Sequence, residues 1–123
     1  NKNKIIKSLN IKGRKIVMDN FYDGVVKFNF NDLCNKNLGS EDYLSIANNC
    51  NFIFIENLPN FNENNSNQQQ RFITLIDIIY ESRIPLMITS HVDLKSINSS
   101  KSIQEPFKRT ISRLYELTSI DYN

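Results

Sequence analysis

The feature that most constrains the fold is a strand–helix–strand pattern between residues 52 and 90. Phe52-Ile53-Phe54-Ile55 is a continuous apolar run that ends in Glu56-Asn57, and Pro59 stops it. With no polar alternation, both faces are expected to be covered, as in a central strand of a parallel sheet. Residues 68–81 read as a helix. Arg71, Thr74, Asp77 and Glu81 make a narrow polar stripe, and Phe72, Ile73, Leu75, Ile76, Ile78 and Ile79 fill nearly everything else. So wide an apolar arc needs more than one packing partner. A second apolar run, Leu86-Met87-Ile88, ends in Thr89-Ser90-His91. Pro85 precedes it, where a missing N–H is tolerated. The order predicts a βαβ unit with a right-handed crossover and two parallel strands.

The flanks suggest further elements. Residues 15–19 and 25–30 read as two strands around the turn signal Asp23-Gly24, and this predicts an N-terminal β-hairpin. Residues 31–34 fit one helical turn. Ser40 is expected to cap a second helix, with Glu41 and Asp42 in its first turn and Tyr43, Leu44, Ile46 and Ala47 on its apolar face. Residues 60–70 are polar and of low complexity, which predicts a flexible loop. Pro106 opens a last helix, whose Phe107, Ile111, Leu114 and Tyr115 form a core-facing stripe. The fold class is therefore α/β: a parallel βαβ core with an N-terminal hairpin and a C-terminal helix.

With 123 residues the chain has material for one domain and one core. A net charge of +2 forces neither a nucleic-acid nor a membrane partner. The charge is uneven, because Lys2, Lys4, Lys7, Lys12, Arg14 and Lys15 all precede the first acid, Asp19. Residues 1–12 are read as a basic, flexible arm, in which Ile5, Ile6, Leu9 and Ile11 lie at spacing that allows a short frayed helix. Residues 13–123 form the domain proper. Cys34 and Cys50 belong to no paired motif and are expected as buried, reduced thiols. No apolar run reaches the length of a membrane span, and no signal peptide is recognisable. The first residue is Asn1, which fits a fragment.

In an open α/β sheet ligands bind beyond the carboxyl ends of the strands. Here those ends carry Glu56-Asn57 and Thr89-Ser90-His91. An acid after one buried strand and a small polar residue after its neighbour echo a nucleotide hydrolase, although polar residues end most buried strands. A phosphate loop needs closely spaced glycines and a lysine. Gly13, Gly24 and Gly39 are the only glycines, and none opens such a pattern. The chain alone thus has no recognisable cradle for a triphosphate. His91 is the only histidine, so no zinc set collects around it. Ser90, His91 and Asp93 are too close in sequence to converge as a triad. Arg109 and Arg113 stand one helical turn apart and could clamp phosphate or a carboxylate. The simpler alternative pairs Glu105 with Arg109 and Arg113 with Glu116.

Several stretches taken together resemble one family. They are Phe28-Asn29-Phe30-Asn31-Asp32-Leu33-Cys34, Leu38-Gly39-Ser40-Glu41-Asp42-Tyr43-Leu44, Phe54-Ile55-Glu56-Asn57-Leu58-Pro59, Arg71-Phe72-Ile73-Thr74-Leu75-Ile76-Asp77 and residues 107–117. Their order and spacing are similar to the C-terminal part of ZapE-type P-loop ATPases, from about Gly13 to Tyr122. The resemblance implies a portion of an AAA+-like ATPase, bacterial and associated with cell division, or mitochondrial in eukaryotes. It implies ATP and Mg²⁺ as cofactors of the intact protein and none for this chain alone. Partners would be proteins, either the division machinery or membrane-protein substrates. The family's phosphate-binding and Mg²⁺-binding motifs lie upstream of the matched segment, so no catalytic residue is assigned here. The candidates to face nucleotide or an interface are Arg109, Arg113, Arg71 and Glu56. Gln70 replaces a second arginine usual beside Arg71, Cys50 an aromatic and Asn51 a histidine, while His91 stands where small residues are usual. The alternatives are a non-catalytic protein-interaction domain, or a phosphate- or nucleic-acid-binding module acting through the basic arm.

Overall fold

The computed structural model describes residues 5–11, 14–21 and 23–118. Along them run β1 (Ile5–Ile11), β2 (Arg14–Phe21), β3 (Val25–Asn29), α1 (Phe30–Cys34), α2 (Ser40–Ala47), β4 (Phe52–Leu58), α3 (Ser66–Glu81), β5 (Leu86–Ser90) and α4 (Gln104–Thr118). Short 3₁₀ turns occur at Glu63–Asn65, Leu94–Ser96 and Lys101–Ile103.

β3, β4 and β5 form a parallel sheet with β4 in the centre. Register places Val26 beside Ile53 and Ile53 beside Leu86, then Phe28 beside Ile55 and Ile55 beside Ile88. The predicted βαβ unit is therefore present, and it is extended by a second parallel step from β3 to β4. Both steps move the same way across the sheet. Right-handed crossovers then place their helices on one side. α2 packs on α3, and α4 packs on α3 and β5.

The core lies between this helical layer and the inner face of the sheet. Val26, Phe28, Ile53, Ile55 and Leu86 are buried from the sheet side, and Phe72, Leu75, Ile76 and Ile79 from α3. Phe30, Phe61, Phe72 and Phe107 form a ring cluster with centroids 5.4–6.1 Å apart that joins α1, the loop after β4, α3 and α4. Such offset and edge contacts add to simple area burial.

Several expectations are corrected. No hairpin joins residues 15–19 to 25–30: β2 pairs antiparallel with β1, and β3 pairs parallel with β4. The Asp23-Gly24 turn is real, with positive φ at both residues. It redirects the chain between sheets, because the Gly24 carbonyl accepts N–H bonds from Asn51 at 2.7 Å and Phe52 at 3.2 Å. Gly24 holds φ 83°, a conformation that favours glycine, and a Cβ there would also press on the Asn51 side chain at 2.5 Å. Residues 5–11 are a strand, not a frayed helix. Lys2, Lys4 and Lys12 of the basic arm, and the boundary at Gly13, lie outside the described residues.

The other differences are local. Gly39 rather than Ser40 is the N-cap of α2, and its N–H donates to the Asp42 carboxylate at 2.7 Å. Leu44 and Tyr115, expected in the core, are 49% and 47% exposed. Cys34 is buried but Cys50 only half-buried. α4 begins two residues before Pro106. β4 is not covered on both faces either: Ile53 and Ile55 are buried, while Phe52 and Phe54 are only half-buried.

The polar stretch 60–70 is ordered rather than a free loop. Asn62 and Asn65 cap each other's backbone N–H groups at a 3₁₀ turn, and α3 starts at Ser66. Side-chain amides of asparagine substitute for backbone acceptors at such positions, which composition alone does not reveal.

Candidate functional site

The carboxyl ends of β3, β4 and β5 are built by backbone geometry. Asn57 has φ 65°, a left-handed conformation that asparagine tolerates better than most residues. It coincides with the shift of register between Ile55 and Leu58. The N–H of Asn57 donates to Thr89 Oγ1 at 3.0 Å, tying the two strand ends together. After the bulge Leu58 returns to the core and Ser90 becomes its neighbour on β5.

Glu56, the acid at this edge, is ion-paired. Its Oε2 lies 3.3 Å from Lys27 Nζ of β3, and that ammonium also sits 5.9 Å from the Phe54 ring centroid. His91 is exposed, and its N–H donates to the Leu58 carbonyl at 3.2 Å. Ser90 Oγ bonds the backbone of Val92 two residues on.

Arg71 is held by α1. Its Nη1 donates to the Cys34 carbonyl at 3.1 Å, and the Tyr43 hydroxyl donates to the Leu33 carbonyl at 2.7 Å. A five-residue helix leaves its last carbonyls without intrahelical partners. Arg71 and Tyr43 supply those partners, so Arg71 helps to position the end of α1. It does not pair along its own helix with Asp77. Burial pushes the Cys34 thiol well above its ordinary value, against the smaller effects of the Tyr43 hydroxyl and the Arg71 charge. Cys34 is thus an inert core thiol at neutral pH.

Arg113 bonds Asp77 of α3 through Nη1 and stacks 4.9 Å from the Tyr80 ring centroid. Tyr80 in turn donates to Glu116 Oε1 at 2.9 Å, a bond that raises the Tyr80 hydroxyl above its usual range. Glu105 bonds Lys108, not Arg109. Arg109 is the exception among the four candidates. It is exposed, and among the described residues no carboxylate or carbonyl bonds its side chain. The structure does not gather the four into one site. Recesses of about 440 Å³ beside Tyr80 and Ile84, and about 520 Å³ beside Leu94 and Ile111, are lined by none of them.

Among the described residues, the β3–α1 junction offers a nucleotide no phosphate cradle. A phosphate loop needs a glycine-rich segment between strand and helix, yet β3 passes directly into α1 at Asn29–Phe30. The first free N–H there is already capped by Asn29 Oδ1, which accepts from Asn31 at 3.1 Å. Among the described residues no three His, Cys, Asp or Glu side chains converge on a metal position. Nor is any helix among them long and apolar enough to cross a membrane.

Sequence reasoning missed a polar network on the helical side. Gln69 is fully buried; its Nε2 donates to Ser99 Oγ at 2.7 Å, and its Oε1 accepts the Ser100 N–H at 3.0 Å. Glu63 accepts from the Ser100 hydroxyl at 2.9 Å and the Lys101 N–H at 2.8 Å. These bonds fasten the segment before α4 to the start of α3. The Gln68-Gln69-Gln70 run carried no phase signal that would single out the middle amide.

The family model of the AFG1-like ATPases matches residues 1–123. Lactation elevated protein 1 homolog B of Danio rerio is 30% identical over 86 residues, which is 70% of this chain and 17% of that protein. Cell division protein ZapE of Escherichia coli K12 is 24% identical over 115 residues, which is 94% of this chain and 31% of that protein. The chain therefore spans less than a third of the length of these relatives. No solved structure matches it significantly.

Proposed function

The chain belongs to the AFG1-like ATPase family, and from that premise we propose that it is the C-terminal portion of an ATP-hydrolysing, AAA+-like protein that remodels protein partners. The observation that carries the reading is the family match across residues 1–123. Its parallel sheet is the architecture that a P-loop NTPase sheet would incorporate. In this reading ATP and Mg²⁺ are held by residues outside this chain. The name of the E. coli relative supports a setting in cell division. Partners would be the division machinery or membrane-protein substrates, met in a bacterial cytoplasm or, in a eukaryote, in the mitochondrion.

This portion contributes a framework and, among the four charged candidates, one cation whose side chain has no intramolecular partner among the described residues. Of the four charged candidates, Glu56, Arg71 and Arg113 already have intramolecular partners. Arg109 is the residue left to meet a nucleotide or a neighbouring subunit. A positioned arginine at developing phosphate charge is worth about 10³–10⁵ in turnover in nucleotide hydrolases. Steady-state ATP hydrolysis by the intact protein tests this. Arg109→Ala is expected to lower turnover by at least about tenfold while shifting stability by less than about 0.5 kcal/mol. Arg113→Ala is expected to keep turnover and cost up to about 1 kcal/mol of stability. Unchanged turnover in Arg109→Ala would remove the role given to that residue. An intact protein with no ATPase activity would overturn the whole reading.

A further inference from the structure

Because side chains alternate along a strand, the residues opposite the core form a second face on β3, β4 and β5. Lys27, Phe52, Phe54, Glu56, Met87 and Thr89 lie on it. Both crossovers put their helices on the other side, so no described helix covers this one. Met87 is 43% exposed, and Phe52 and Phe54 are half-buried. Parallel sheets are found almost only with both faces covered. The charges on this face are already neutralised, because Lys27 pairs with Glu56 and lies over Phe54. A covering layer would therefore bury an ion pair and a ring contact rather than two unpartnered charges, which lowers its desolvation cost.

We propose that this face is the docking surface for a helix of the same polypeptide, from outside residues 1–123, with an apolar stripe of about three turns. The inference rests on the reading of the chain as a portion of a longer ATPase. Two arguments select that occupant. The relatives are far longer than this chain, which covers 17% and 31% of those compared, so a protein of their length has ample polypeptide to supply it. The face is also small. Strands of five to seven residues, about 4.8 Å apart, present a footprint of roughly 300 Å². A stable interface between separate chains buries about 800 Å² on each partner. A tethered segment does not pay the full translational cost of association, so it can dock on the smaller area.

The wild-type sequence carries its own probe. Its two methionines are Met87, on this face, and Met18, fully buried. Thioether oxidation by dilute hydrogen peroxide follows exposure. The intact, purified protein would be oxidised under native conditions, with peptide mapping of both residues and a urea-unfolded sample as the reference. The expected result is Met87 oxidised at least about tenfold more slowly than in the unfolded reference, approaching Met18, at every protein concentration. Oxidation of Met87 near the unfolded rate would overturn the proposal. Protection that vanishes on dilution would overturn it in favour of a second copy. ATP turnover measured on the same sample keeps the two readings apart: an inactive protein with protected Met87 faults the ATPase reading, and an active one with exposed Met87 faults only the docking surface.

Discussion

Phe61 shows how far a single residue can depart from its sequence neighbourhood. It stands in the most polar stretch of the chain, yet it is 1% exposed and touches the rings of Phe30, Phe72 and Phe107. The one signal available was an aromatic residue with asparagine on both sides. Composition averages such a residue away. Phe61→Ala is expected to cost about 3–5 kcal/mol, because the void would lie at the junction of four elements that cannot collapse together. Equilibrium urea unfolding of the chain checks this, and a loss below about 1 kcal/mol would mean that Phe61 is a surface residue. The arginines show the same limit. Helical phase put Arg109 and Arg113 on one face, but phase says nothing about the partner a neighbouring helix offers. Asp77 takes Arg113, and the carbonyl end of α1 takes Arg71.

At the scale of elements, the strongly patterned segments were legible and the weakly patterned ones were not. β4, α3 and β5 appear where continuous apolar runs and a wide helical arc required them, and they run parallel as expected. β3 is a strand as its alternation predicts, but its neighbour is β4 rather than β2. A local turn signal describes only the bend and not the pairing, and β3 pairs in parallel with β4. The join between α3 and α4 was invisible, because it depends on Glu63, Gln69, Ser99 and Ser100 meeting across some 30 residues of sequence. This join has a pH signature. The backbone N–H of Lys101, and secondarily the Ser100 hydroxyl, hold the Glu63 carboxyl below its ordinary value. A group whose folded value is depressed contributes stability that is present above its unfolded value, about 4.3, and lost as pH falls through the folded one. Chemical denaturation at pH 7 and pH 3 should show stability falling on the acid side. Glu63→Gln should lower stability at pH 7 and flatten the acid-side fall. An acid limb as steep in that variant as in the wild type would place the titrating group elsewhere.

At the scale of the whole molecule, the α/β class and the parallel core could be read from residue pattern, and the family from the order of several short stretches. The one-sided helical layer could not be foreseen. An unbroken apolar run predicts cover on both faces, but only the crossover directions reveal which helices supply it. The one-sided helical layer among the described residues and the closed Asn29–Phe30 junction lead to the same account. The chain is a portion of an AFG1-like ATPase, and in the reading proposed above its phosphate loop is supplied by residues other than these. Titration calorimetry of residues 1–123 with Mg-ATP tests that claim most directly. The account predicts no binding tighter than about 1 mM. Saturable binding near 1 μM would contradict it, since roughly 8 kcal/mol of affinity would then come from a sequence without a glycine-rich phosphate loop.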